Sequence, residues 1–174
     1  MKKILETQRT YLRELVQDDY ADLCEILQDG ETMYAYGHAF SDEEARAWLE
    51  KQFMRYGRYG FGLWAVIDKA SGAFIGQVGL TMQDVEGKEE LEIGYLLKRK
   101  YWHQGYAAEA ATACRDYAFH VLKQERVVSI IRDTNIPSQN VARRVGMHLE
   151  SRFLKHTAEG AIPHYVFALE KGAE

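Results

Sequence analysis

Leu91-Glu92-Ile93-Gly94-Tyr95-Leu96-Leu97, followed closely by Trp102-His103-Gln104-Gly105-Tyr106-Ala107-Ala108-Glu109-Ala110, is the stretch that decides how this chain is read. The first run reads as a strand, and the second opens an Ala-rich helical run that reaches about Val121. A strand, a short turn and a helix with a glycine at its mouth form a phosphate-binding geometry. The first helical N–H groups have no intrahelical partner, and the helix dipole favours an anion beside them. Gly105 has no Cβ, so a phosphate can come close to the backbone. A phosphorylated ligand is the first expectation.

Thr10–Leu15 alternates and predicts a first strand, after which Asp18 or Asp19 caps a helix to about Gln28. Asp29-Gly30 stops that helix, and residues 31–40 form an aromatic, irregular link with Tyr34, Tyr36 and His38. Ser41-Asp42-Glu43-Glu44 is a capping box for a helix to about Tyr56, with Ala45, Trp48, Leu49, Gln52 and Phe53 along its buried stripe. Strands follow over Gly62–Asp68 and Ala73–Thr81, and the acidic loop Asp84–Glu90 leads into Leu91. Beyond the Ala-rich helix come a β-branched strand, Arg126–Ile131, and a short helix, Asn135–Val145, closed by Gly146. Two strands end the chain, about Met147–Lys155 and Pro163–Glu170. Helices interspersed among hairpin-linked strands predict an α/β fold of the α+β kind. One domain over residues 1–174 is expected, with a mixed, mostly antiparallel sheet of about seven strands and four helices.

With 174 residues and 47% hydrophobic side chains, the chain is long and apolar enough to bury a core as one domain. The net charge of -4 argues against a nucleic-acid partner and leaves room for a cationic substrate. Cys24 and Cys114 stand far apart, with no C-x-x-C pair, and read as two buried reduced thiols. Met1–Thr7 lacks an apolar signal region and no run is long enough to span a bilayer, so a cytoplasmic protein without a membrane partner is expected. No two histidines share metal-ligand spacing on one element, so no metal is expected.

Element order, turn and following helix resemble the GNAT superfamily of acetyl-CoA-dependent N-acetyltransferases. The family's pyrophosphate loop, [Q/R]-x-x-G-x-[G/A], is matched from Gly105 onward within Trp102–Ala107. Asn135-Ile136-Pro137-Ser138-Gln139-Asn140-Val141-Ala142-Arg143-Arg144-Val145-Gly146-Met147 resembles its second motif, N-x-x-S-x-x-V-x-x-[K/R]-x-G-[F/M]. The W-x-x-G-Y-A-x-E-A form and the opening Thr7-Gln8-Arg9-Thr10-Tyr11-Leu12-Arg13 are similar to the ribosomal-protein N-terminal acetyltransferase, or Rim-type, branch. Three positions depart from the pattern. Trp102 replaces the common Gln or Arg, as is usual in this branch; His103 sits where the branch often has Gly; and Ala142 replaces the tyrosine that protonates the leaving thiolate in many members.

The resemblance implies acetyl-CoA as co-substrate and an amine acceptor, a small molecule or a protein N-terminus, in a monomer or homodimer. It implies that backbone groups of Tyr95, Leu96 and Leu97 pair with the pantetheine arm, and that N–H groups of Gln104, Gly105, Tyr106, Ala107 and Ala108 hold the pyrophosphate, with Trp102 and His103 beside them. Asn135 would contact pantetheine or substrate, or else simply form a turn. Neutralising a lysine-like amine at pH 7 costs about 4.6 kcal/mol, against about 1.4 kcal/mol for an α-amine. A side-chain amine therefore needs a base; the family often carries an acidic residue at this place on the strand, so the resemblance implies Glu92, acting through a water, unless it serves as a salt-bridged strand residue. Ser138 would assist the departing thiolate by hydrogen bonding or a water relay, or cap its helix. Tyr34, His38 and His164 are candidates for the acceptor side. A CoA-binding sensor or partner-binding module without catalysis is the alternative; another nucleotide ligand would need a Walker lysine or a full G-x-G-x-x-G, and neither is present.

Overall fold

Hairpin-linked strands build one eight-stranded sheet in the computed structural model, which describes residues 1–173. The strands are β1 (Lys3–Glu6), β2 (Thr10–Glu14), β3 (Leu63–Asp68), β4 (Phe74–Val85), β5 (Lys88–Leu97), β6 (Arg126–Arg132), β7 (His148–Thr157) and β8 (Gly160–Glu170). Their order is β1-β2-β3-β4-β5-β6-β8-β7, with every pair antiparallel except β5 with β6. The helices are α1 (Tyr20–Leu27), α2 (Asp42–Tyr59), α3 (Tyr106–His120) and α4 (Ile136–Val145).

Two cores lie on opposite faces of the sheet. Ala110, Ala111, Cys114, Ala118 and Phe119 of α3 and Ala142 and Val145 of α4 pack with Trp64, Val66, Val78, Leu80 and Ile93. Leu23, Ile26 and Leu27 of α1 and Ala45 and Leu49 of α2 pack with Ala65, Ile67 and Phe74 on the other face. The alanines let α3 lie close to the strands, because each adds little bulk between helix and sheet. Close approach also dictates Gly79, where a Cβ would sit 2.1 Å from the Gly62 carbonyl oxygen. Among the described residues, no helix is long and apolar enough to cross a membrane.

The sheet has eight strands where about seven were expected. The extra one is β1, a four-residue edge strand paired only with β2, too short to leave a periodic signal. The expected acidic loop at residues 84–90 is instead a continuation of β4 and β5 around Glu86-Gly87. Both of these residues take left-handed backbone (φ 52° and 84°), as a two-residue hairpin turn requires. Asp19 does not cap α1 through its side chain; its carboxylate is held by Arg13 at 2.7 and 2.8 Å and by the Val16 N–H at 2.8 Å. The capping box at Ser41 and Glu44 forms as read, and α2 continues to Tyr59 before Gly60 turns left-handed. Cys114 is buried and Cys24 only partly so, and both are free.

Candidate active site

One break in the sheet creates the site. β5 pairs with β4 along its whole length, from Lys88 opposite Val85 to Leu97 opposite Gly76. Its other edge pairs with β6 only where Glu92 faces Val128, helped by Ser129 Oγ donating to the Ile93 carbonyl at 2.7 Å. Beyond that point the two parallel strands part, and the edge of β5 past Ile93 has no strand partner. A cleft of about 980 Å³ opens there, with Tyr95, Leu96 and Leu97 along one wall and Asn135, Ser138 and Val141 along the other.

The mouth of α3 enters this cleft. Gly105 is the left-handed N-cap (φ 81°) and offers no side-chain cap. The first backbone bond of the helix runs from the Glu109 N–H to the Gly105 carbonyl at 3.0 Å. Among the described residues, the N–H groups of Gly105, Tyr106, Ala107 and Ala108 ahead of it have no partner, and all four residues line the cleft. Such a cluster of free donors on a helix terminus fits a pyrophosphate. Trp102 and His103 line the cleft as well. The Trp102 indole donates to the Leu97 carbonyl at 2.9 Å and so ties the turn to the end of β5. His103 has left-handed backbone (φ 59°), a conformation that glycine adopts freely. Gln104 is not on the cleft wall; its amide donates to the Lys100 carbonyl at 2.9 Å.

A residue from the far end of the sequence braces this turn. Arg9 Nη1 donates to the Gln104 carbonyl at 2.9 Å, its Nε pairs with the Glu109 carboxylate at 2.7 Å, and its guanidinium lies 4.1 Å from the Tyr106 ring centroid. Glu109 also accepts from Thr7 Oγ1 at 2.6 Å and the Arg9 N–H at 2.8 Å. Burial alone would raise its pKa, but these bonds together outweigh it and hold the carboxyl below its usual range. Arg9→Ala is expected to destabilise the fold by about 1–3 kcal/mol and weaken acetyl-CoA binding about tenfold, because the brace leaves and its half-buried partner stays. Thermal unfolding and isothermal titration with acetyl-CoA measure the two effects.

Glu92 sits in the floor of the cleft where the strands part. Its carboxylate accepts from the Ile130 N–H at 3.1 Å, a donor that β5 no longer pairs, and from Thr81 Oγ1 at 3.2 Å. Burial raises its pKa; the Ile130 N–H and the charges of Lys155 and Arg55 oppose that shift without cancelling it. No cation pairs with it directly among the described residues, so it is not a salt-bridged strand residue. Ser138 lines the opposite wall, its N–H held by Asn135 Oδ1 at 3.2 Å and its carbonyl by the Tyr95 hydroxyl at 2.6 Å. Asn135, not Ser138, therefore caps α4. Tyr95 spends its proton on that carbonyl and fastens α4 to the sheet.

At the other end of the cleft Tyr34 and His164 line the wall, while His38 does not. His38 Nε2 contacts the Glu44 carboxylate at 2.8 Å, on the outer side of the capping box. His164 Nδ1 donates to the Ile162 carbonyl at 2.9 Å, which leaves Nε2 as an acceptor, and burial lowers its pKa. Tyr36 of the aromatic link and Trp48 of the α2 stripe also line the cleft, as do Lys51, Arg55, Gln83 and Lys155, which no sequence signal marked. Among the described residues, no group of three or more His, Cys, Asp or Glu side chains could hold a metal.

The model of the acetyltransferase (GNAT) domain matches residues 9–148. The chain belongs to the GNAT acetyltransferase family. An uncharacterised protein of Bacillus subtilis (strain 168), YkkB, is 35% identical over 155 residues, covering 88% of this chain and 90% of that protein. An uncharacterised N-acetyltransferase of Bacillus licheniformis, p20, is 31% identical over 179 residues, covering 96% of each. The solved structure of RimL, a ribosomal L7/L12 alpha-N-protein acetyltransferase in complex with coenzyme A, superposes with a TM-score of 0.78 over 99% of this chain and 100% of that one; at 18% identity the likeness is one of fold.

Proposed function

We propose that this GNAT protein transfers the acetyl group of acetyl-CoA to a primary amine by direct attack in a ternary complex. The observation that carries the reading is continuity. One cleft joins the free N–H groups of α3, the unpaired edge of β5 and the Glu92 carboxylate. Gly105 to Ala108 would hold the pyrophosphate and the β5 edge at Tyr95 the pantetheine arm. The cleft then leads the thioester toward Glu92 and Ser138. Acetyl-CoA, when bound, supplies the activated acetyl carbonyl.

The acceptor ammonium first loses one proton, its nitrogen then forms the new N–C bond, and a second proton leaves that nitrogen to solvent as the C–S bond breaks. Glu92 takes the first proton through a water, and its raised pKa keeps it a better base than a solvated carboxylate. Ser138 hydrogen-bonds the departing sulfur, or the water that protonates it. Neither Ala142 nor Tyr95 has a proton to give there, so the thiolate takes its proton from solvent. A cytoplasmic site of action belongs to this reading.

Mixing the protein with acetyl-CoA and a panel of amines tests this by release of CoA thiol. Thiol release with at least one acceptor is the expected result. Tight acetyl-CoA binding with no release across the panel would support a CoA-binding module instead.

A further inference from the structure

Three cations gather at the acceptor end of the cleft; the buried Glu92 carboxylate feels the charges of two of them, Arg55 and Lys155, but pairs with neither. Lys51 and Arg55 are one helical turn apart on α2 and share a face, and both line the cleft. Lys155 of β7 lines it as well. Like charges at this helical spacing cost a little stability, which a bound anion would relieve. Among the described residues none of the three forms an ion pair. The other wall carboxylates have arginines of their own: Glu31 has Arg99 at 2.8 Å and Glu159 has Arg132 at 3.3 Å. Glu92 is engaged by the Ile130 N–H and Thr81.

We propose that Lys51, Arg55 and Lys155 bind a carboxylate carried by the acceptor itself, so that the acceptor is a zwitterion of the amino-acid type with its amine directed to Glu92. The inference rests on the acetyl-transfer reading above. A carboxylate placed here neutralises the crowded cations, while the amine of the same molecule meets Glu92 in the cleft floor, which among the described residues pairs directly with no arginine. Burial, then the charges of Arg55 and Lys155, already lower the pKa of Lys51, as expected where cations face one another. Polyamines and aminoglycosides, with several positive charges, meet repulsion at the same place.

Thiol release is to be measured with amino acids, their methyl esters, the corresponding decarboxylated amines, phosphoethanolamine and spermidine. The acid of at least one matched set is expected to exceed its ester and its amine in kcat/KM by about tenfold or more, the scale of one charge-assisted hydrogen bond. Arg55→Ala should lower kcat/KM for that acid about tenfold more than for its ester. Equal use of acid and ester, or preference for spermidine, overturns the proposal; preference for phosphoethanolamine overturns the choice of carboxylate. A second readout covers a panel in which nothing turns over. Isothermal titration of the CoA-loaded protein should then show N-acetyl amino acids binding about tenfold tighter than their amides. Equal binding, or none, overturns the proposal. Failure of acetyl-CoA to bind would instead bring down the acetyl-transfer reading.

Discussion

Glu92→Gln is expected to lower turnover by about 10²- to 10⁴-fold while raising the melting temperature at neutral pH. The two effects share one cause. Burial raises the Glu92 pKa, so the native state holds its proton to higher pH than the unfolded chain does. The native state therefore binds more protons in the interval above the ordinary carboxyl value, and stability falls as pH rises through that interval. Above the ordinary carboxyl value the native protein carries the cost of burying this group in the cleft floor, and that cost grows as it ionises. Glutamine keeps the shape, accepts from the Ile130 N–H and can donate to Thr81, and it removes that charge. The kcat/KM profile of the native enzyme should rise with pH through the raised Glu92 value, and this limb should vanish in the variant. Acceptors of high pKa should suffer most, since they depend most on a base. An unchanged rate across pH removes Glu92 from the chemistry, and a lower melting temperature contradicts its electrostatic cost.

Gly105→Val should abolish stabilisation by acetyl-CoA. A ligand at 100 times its Kd stabilises by about 2.7 kcal/mol, or roughly 5–11 °C for a domain of this size. The native protein should show that shift, and the variant less than about 2 °C. Gly105 has a φ of 81°, which a β-branched residue adopts only under strain, and its new Cβ would meet Arg9 Nη2 at 3.4 Å. Relief of the backbone strain turns the N–H groups of the first turn away from the cleft. The melting temperature without ligand separates this from collapse of the fold: the variant should still unfold cooperatively, at a lower temperature. A full acetyl-CoA shift in the variant would show that the α3 mouth is not the pyrophosphate seat.

Local chemistry was legible in the sequence. The Ser41 capping box, the glycine at the mouth of α3 and the stop at Gly146 each depend on residues within a turn or two. So did the alternation that sends Ile93 and Leu97 into one core and Leu96 toward the other. The placement of Glu92 on a strand was readable; that its carboxylate would take over the N–H abandoned by a departing strand was not. His38 shows the converse: its loop was placed correctly, but its ring turned outward to Glu44.

What the sequence by itself determined is the order of elements, their caps and the identity of the loop that opens α3. Only the tertiary structure decided where β5 and β6 part, that Arg9 braces the loop, and that Lys51, Arg55 and Lys155 face one cleft. The acidic balance of the whole chain even pointed toward a cationic substrate, opposite to the charge that gathers at the acceptor end. Periodicity and capping act between neighbours along the chain and leave a pattern there. Contacts between distant segments arise from packing helices onto two faces of a sheet, and no spacing in the chain encodes which charges that packing brings together.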